Sequence, residues 1–335
     1  MLAIWVQKTV ADTPAEADAL IGRYVAAGVT DIFYYNGYTS NYAALAYLTT
    51  AAHKAGLRVH AWLCFGADLY GLNSSWKCSG VAFTNFGIEA ARLRMAAIVS
   101  AILQAVPDID GFHLDYMRAP TIDSTAYYTA ADVTDAVERI AEASEGKMLS
   151  VAVKAYKDDW NRWAQNWPTW LDDSLVDLVI PMCYHPLRTD TDTAYHVQSW
   201  VATNAPMWLV VPGLAVIDTS TAGEPLKTAS QMANEAALFV KLGFGDVALF
   251  DSRATDAQIA AVKAELPEDE PDATAEELLT EIQEDMMGVK DTILSEAEKL
   301  EEQAAALLLI AASLRAQAEA LEAADVKADE LAALL

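Results

Sequence analysis

The segment Asp110-Gly-Phe-His-Leu-Asp115-Tyr-Met-Arg118-Ala-Pro120 concentrates residues that can do chemistry. Its alternation reads as a strand that puts His113, Asp115 and Met117 on one face and Phe112, Leu114 and Tyr116 on the other. A charged carboxylate on the inner face of a sheet is costly without a partner. Asp115 is therefore expected either to pair, with Arg118 or Lys154, or to open into a mouth that binds something. A carboxyl so placed is a candidate for proton transfer. Lys154, in a later apolar run, raises Schiff-base lyase chemistry as a weaker alternative, because a desolvated amine is a nucleophile. His60, His113 and His185 fall on three separate runs, and such histidines more often hydrogen-bond a carboxylate than bind metal. No metal and no cofactor is expected. The three cysteines, Cys64, Cys78 and Cys183, have no CxxC spacing, and a Cys64–Cys78 bridge is a minor alternative.

These residues need elements to carry them. Eight short apolar, β-branched or aromatic runs recur at 2–6, 31–36, 58–65, 111–117, 149–156, 176–184, 207–214 and 246–251. Amphipathic stretches separate most of them, at 15–27, 42–55, 88–105, 131–143, 194–203 and 229–242. Eight strand-helix units in a row predict an α/β fold, a (β/α)8 TIM barrel over residues 1–266. The runner-up, a doubly wound open sheet, needs a glycine-rich phosphate turn after the first strand, and residues 7–13 contain no glycine. In such a barrel the working end is the rim formed by the C-terminal ends of the strands. That rim collects Asn36 from the second run, Trp62 from the third, Asp115 from the fourth, Lys154 from the fifth, Tyr184 and His185 from the sixth and Asp251 from the eighth.

Residues 267–273, Pro-Glu-Asp-Glu-Pro-Asp-Ala, form an acidic linker whose prolines interrupt any helix. Beyond it, in residues 274–335, Leu279, Met286, Ile293, Leu300, Leu307, Leu314 and Leu321 recur every seven residues, with Ile282, Val289, Ile310 and Leu331 in the complementary slots. Glu296, Gln303 and Gln317 occupy further complementary slots. This is the pattern of a long C-terminal coiled-coil helix that self-associates, a trimer being preferred. A helix folded back on its own barrel is the alternative. The net charge of −26, of which −15 falls in residues 267–335, argues against nucleic acid and against membrane surfaces as partners. No apolar run is long enough for a membrane span, and residues 1–7 lack the features of a secretory signal.

The stretch Asp110 to Pro120 resembles the DG-x-x-x-DY-x-R-x-P signature of the glycoside hydrolase-like TIM barrels, and Val176-Asp-Leu-Val-Ile-Pro-Met-Cys-Tyr184-His is similar to their sixth strand. The long third loop, 66–87, is similar to their substrate-side loop. The resemblance covers about residues 1–260 in element order, its specific part being the fourth and sixth strands. It implies an O-glycosyl hydrolase in which Asp115 is a catalytic carboxylate, with Arg118 and Tyr184 holding it or the sugar. Hydrolysis of this kind needs two carboxyl groups. Asp251 is the best-placed second acid, followed by Asp158 or Asp159 and by Asp68; Asp251 pairing with Arg253, or capping the last helix, is the equal alternative.

Trp62 and Trp76 offer flat faces to sugar rings, Trp76 from a loop that gives an indole no evident reason to be buried. Trp160, Trp163, Trp167 and Trp170 share one helical face and read as core packing. The expected ligand is a surface polysaccharide, contacted by Arg118, Tyr184, His185, Trp62, Trp76, Asn36, Lys154 and Asp158. A glycan-directed barrel on an acidic coiled-coil stalk, with no export signal, fits a virion tail or spike protein that recognises its host, located in the virion or outside the cell after lysis, with other virion proteins as further partners. A catalytically inactive receptor-binding or structural virion protein, and a cytoplasmic glycosidase, are the alternatives.

Overall fold

The computed structural model describes residues 1–7, 11–35, 42–67, 74–120, 127–155, 162–184, 206–218 and 223–267, together with isolated helical positions between Ser295 and Gln317. Its strands are β1 (Leu2–Gln7), β2 (Asp31–Tyr35), β3 (Arg58–Cys64), β4 (Gly111–Asp115), β5 (Met148–Lys154), β6 (Leu178–Cys183), β7 (Gly213–Ala215) and β8 (Val247–Phe250). They are parallel and close into a barrel in chain order, Leu2 of β1 pairing with Val247 of β8. Among the described residues the helices are α1 (Pro14–Ala26), α2 (Ala43–Lys54), α3 (Glu89–Ala105), α4 (Ala130–Ala143), α5 (Trp167–Asp172), α6 (Ala229–Lys241) and α7 (Asp256–Lys263). The expected eight-stranded barrel is therefore present.

Side chains alternate across the closed sheet with a period of two, which divides the core into two layers. Ala3, Trp5, Phe33, Trp62, Cys64, Ile180, Val211 and Ala248 fill the interior. Leu2, Ile4, Val6, Ile32, Val59, Leu63, Phe112, Leu114 and Val151 point outward into the apolar faces of the helices. Burial on both faces is why the strands read as nearly continuous apolar runs. Helix starts are equally local in origin. Thr13 with Glu16, Thr129 with Asp132, Thr228 with Gln231 and Thr255 with Gln258 each form a reciprocal capping box, and such a cap contributes about 1 kcal/mol.

The run expected at 207–214 divides: Met207–Leu209 is a turn of 3-10 helix, and β7 begins only at Gly213. A Cβ on Gly213 would come within 3.2 Å of the Pro181 carbonyl, so β6 and β7 approach closely there. At the N-terminal end of the barrel Asp31, fully buried, accepts from Arg58 and Thr30 and lies 2.9 Å from His60 Nε2. This polar knot stands at the rim opposite to the one that carries function in such barrels.

The chain divides into two units, Met1–Pro267 and Glu268–Leu335. In the second, Leu307 and Leu314 of the heptad seam and Gln303 and Gln317 of its complementary slots are helical and exposed. The other seam residues, and the helix expected at 194–203, lie outside the described residues.

Candidate functional site

Strand β4 delivers Asp115 to the C-terminal rim, and two glycines make that possible. A Cβ on Gly111 would lie 2.4 Å from the Met148 carbonyl and 2.6 Å from His60 Nδ1, so only glycine lets β4 pass between them. At the other end of β4 the chain kinks: Tyr116 has φ 58°, in the left-handed region. Gly66, just beyond β3, lies against this kink so closely that a Cβ there would be 1.9 Å from the Tyr116 carbonyl oxygen.

The kink ends the alternation expected from sequence. His113 and Asp115 belong to the inner face, but Met117 does not: it is fully buried in the outer layer, and Tyr116 packs against the inner cluster instead. One residue in the left-handed region exchanges the two faces. Arg118 follows on the rim.

Asp115 is 6% exposed. Its Oδ2 accepts from Trp62 Nε1 at 3.2 Å and lies 3.9 Å from Cys64 Sγ, while its Oδ1 accepts the Tyr116 backbone N–H at 2.7 Å. The register explains the first two contacts, because Trp62 pairs with His113 and Cys64 with Asp115 across β3 and β4. Burial pushes the Asp115 carboxyl above its ordinary range; the nearby charge of Arg118, the hydrogen bonds from Tyr116 and Trp62, and the charge of Lys154 oppose this without cancelling it. Burial likewise pushes the Cys64 thiol well up, so it stays a thiol.

Around this acid stands a collar of rings. Trp62 meets Tyr35 edge-on at 5.4 Å and Phe250 at 6.2 Å, Tyr184 stacks on Phe250 at 4.9 Å, and Trp5 lies beneath Phe250 at 5.9 Å. Burial pushes the Tyr184 phenol well above its ordinary value, with the charges of Asp115 and Asp251 adding to the effect. Tyr184 is thus a neutral O–H at the rim.

The second expected acid is differently placed. Asp251 follows β8 and is held by Arg253, whose Nε donates to Oδ1 at 2.9 Å, whose Nη2 donates to Oδ2 at 3.0 Å and whose backbone N–H donates to Oδ1 at 3.0 Å. The pairing of Asp251 with Arg253, one of the alternatives to a catalytic role, is observed.

Lys154, the last residue of β5, has its Nζ 4.4 Å from the centroid of the Trp163 ring. Gln165, fully buried, fixes the end of that strand by accepting the Lys154 backbone N–H at 2.9 Å and donating to the Ala152 carbonyl at 3.0 Å. The Ala119 N–H donates to the Trp163 carbonyl at 2.7 Å, which ties the loop after β4 to the loop after β5.

Trp163 is the functional candidate that sequence reasoning missed. The expected four-tryptophan helical face is not formed, since Trp163 lies before α5; of the three described tryptophans of that set, Trp167 and Trp170 pack in the outer core. Pro168, in the first turn of α5, was the available signal that the helix starts there. Trp76 is half-buried against the outer core in a 3-10 turn, and is not among the rings around Asp115. Asn36, Asp68, Asp158, Asp159, Trp160 and His185 lie outside the described residues. His60 bonds Asp31, and His113 Nδ1 lies 2.9 Å from Ser150 Oγ in the barrel interior. None of the three cysteines forms a disulfide, so Cys64 and Cys78 are not bridged.

No family model matches the sequence, and no curated protein matches it. Solved structures do match in fold. A chitinase from Chromobacterium violaceum ATCC 12472 is 13% identical with a TM-score of 0.56, over 80% of this chain and 99% of that one. The PgaB (BpsB) glycoside hydrolase domain from Bordetella bronchiseptica is 11% identical with a TM-score of 0.59, over 77% and 97%. A glycoside hydrolase family 18 N-acetylglucosaminidase from Paenibacillus barengoltzii is 12% identical with a TM-score of 0.56, over 79% and 99%. At these identities the likeness is one of architecture: this chain contains a closed (β/α)8 barrel of the shape those enzymes use.

Proposed function

We propose that the barrel is a glycan-directed domain in which a polysaccharide chain crosses the C-terminal rim and Asp115 protonates a glycosidic oxygen. One observation carries this reading: a carboxyl 6% exposed, with its proton affinity raised by burial, stands at the rim of β4 among Trp62, Tyr184 and Phe250. A carboxyl whose hold on its proton is strengthened by burial, beside flat apolar faces, is suited to the acid step in glycosidic cleavage. The three solved barrels named above are all glycan-acting enzymes by description, which supports the same reading.

Asp251, held by three donors of Arg253, is a poor second catalytic group. The nucleophile or base then falls to another acid, for which Asp158, Asp159 and Asp68 are the sequence's candidates, or to a group on the substrate itself. The same ion pair favours a second reading, a barrel that binds the glycan without cleaving it. Reducing-sugar release from a polysaccharide panel by the wild type and by Asp115→Asn, with binding measured in parallel, separates the two. Release by the wild type alone supports hydrolysis; retained binding with no release by either supports recognition only.

Residues 274–335 complete the proposal as a self-associating stalk, a trimer, that presents several barrels at once so that weak glycan contacts add. The support is the heptad spacing together with Leu307 and Leu314, 66% and 59% exposed in a single chain. A virion tail or spike protein of a virus of prokaryotes, acting at the host surface, is the setting that uses this combination, an analogy of architecture. Sedimentation equilibrium of the full chain, expected at three times the monomer mass, tests the stalk. A monomer would sink it.

A further inference from the structure

The chain carries 48 acidic against 22 basic residues, and several of its arginines are ion-paired. Arg23, Arg58, Arg92, Arg139 and Arg253 each pair with a carboxylate. Among the described residues Arg118 has no such partner. Its guanidinium carbon lies instead 4.6 Å from the Tyr116 ring centroid, 5.2 Å from Trp163 and 5.9 Å from Phe83, and its Nε is buried without an acceptor. Lys154 Nζ sits 4.4 Å from the same Trp163 ring. One indole thus gathers two cations at the rim, and both act electrostatically on Asp115.

Aromatic rings hold a guanidinium by cation–π attraction and fix its plane while leaving N–H donors for an incoming acceptor. A planar fork of this kind matches the paired oxygens of a carboxylate or an ester sulfate. Neutral sugar hydroxyls answer it poorly, because they bring no charge to a desolvated cation.

Resting on the glycan reading above, we infer that Arg118, with Lys154 on the same Trp163 ring, receives an anionic group of the sugar chain, so that the substrate is an acidic polysaccharide carrying carboxylate or sulfate groups. The protein's overall negative charge opposes such a ligand at long range. At 0.15 M salt that repulsion is screened beyond about 8 Å, and the local cations decide.

The test measures binding of the full-length protein, by quenching of tryptophan fluorescence at 0.15 M salt. The ligands are polygalacturonate, alginate, hyaluronan and a carrageenan, each beside its carboxyl-reduced or desulfated form, together with the neutral polymers glycol chitin and dextran. At least one acidic polymer is expected to bind, and to lose at least about tenfold in affinity when its charges are removed. Arg118→Gln is expected to lose about as much, and Arg118→Lys less. Loss on carboxyl reduction identifies a uronate, and loss on desulfation a sulfate ester. Equal affinity for charged and uncharged forms, or binding of neutral polymers alone, overturns the inference and leaves the glycan reading standing. Failure to bind any polymer of either kind overturns both. Near-UV circular dichroism checks the variants; if Arg118→Gln does not fold, the polymer pairs with the wild type still decide.

Discussion

Substituting Gly66 by alanine tests how Asp115 is positioned. The added Cβ would sit 1.9 Å from the Tyr116 carbonyl oxygen, 2.9 Å from its carbonyl carbon and 3.0 Å from its Cβ, whereas ordinary contact begins at 3.4 Å. One of the two segments must therefore withdraw by about 1.5 Å, the difference between 3.4 and 1.9 Å. No rotamer change relieves this, because the atoms met are backbone and Cβ. Gly66 is itself held, its carbonyl accepting the Thr84 N–H at 2.9 Å. The displacement is expected to fall on the Tyr116 kink, one residue from the acid. Overpacking of this kind costs about 1–3 kcal/mol, and a misplacement near 1 Å at a reacting group costs roughly 100-fold in rate. Urea unfolding followed by circular dichroism, together with polysaccharide binding and reducing-sugar release, reads both effects. Gly22→Ala is the control: nothing lies within 4 Å of its Cβ, and in the middle of α1 the change should stabilise by about 0.5–1 kcal/mol. If Gly66→Ala unfolds at the wild-type urea concentration and keeps wild-type glycan binding and release, the close approach does not position the kink, and this account of the site is wrong.

Three further outcomes are expected. Burial alone would raise the Asp31 carboxyl, but hydrogen bonds from His60 and Arg58 outweigh it and hold the pKa at about 2 against an ordinary 3.8. The depressed value stabilises the fold above pH 3.8 by about 2–3 kcal/mol, at about 1.4 kcal/mol per pH unit, and this is lost as pH falls through about 2; urea unfolding of Asp31→Asn should lose about that much at pH 7 and have a flatter acid limb. Asp115 has the opposite sign: the folded state holds the proton more tightly than the unfolded chain, so its stability is full below pH 3.8 and falls as pH rises through the raised folded value. Asp115→Asn is therefore expected to gain stability over the wild type with rising pH while losing reducing-sugar release, and equal stability at every pH would refute the burial argument. The Lys227–Glu235 ion pair, 2.7 Å long and buried on both sides, should cost about 3–5 kcal/mol when broken by Lys227→Met, because Glu235 is left buried without its cation; a thermal shift near zero would show that water reaches it.

Much of the barrel was legible in the amino-acid order because its determinants are local. Continuous apolar runs mark strands buried on both faces, and Thr13, Thr129, Thr228 and Thr255 each announce a helix three residues ahead of a Glu, Asp or Gln. Asp115 was legible for the same reason: an acid on the inner face of an apolar strand stands out by period alone. β7 was placed too early because the apolar residues Met207 to Leu209 pack as a 3-10 turn, and periodicity over so few residues does not distinguish that from a strand.

What tertiary structure alone decided is how the rim residues pair. The direction of Met117 depends on a left-handed Tyr116 pressed against Gly66, fifty residues away in sequence. Trp163 joins Lys154 to Arg118 only because the loops after β4 and β5 meet. Arg253 takes Asp251, while among the described residues Arg118 lies against aromatic rings. Local pattern sets which residues face inward, since the period of a strand is a property of the backbone. Which charge meets which partner depends on distances between segments far apart in the chain, and those exist only once the barrel has closed.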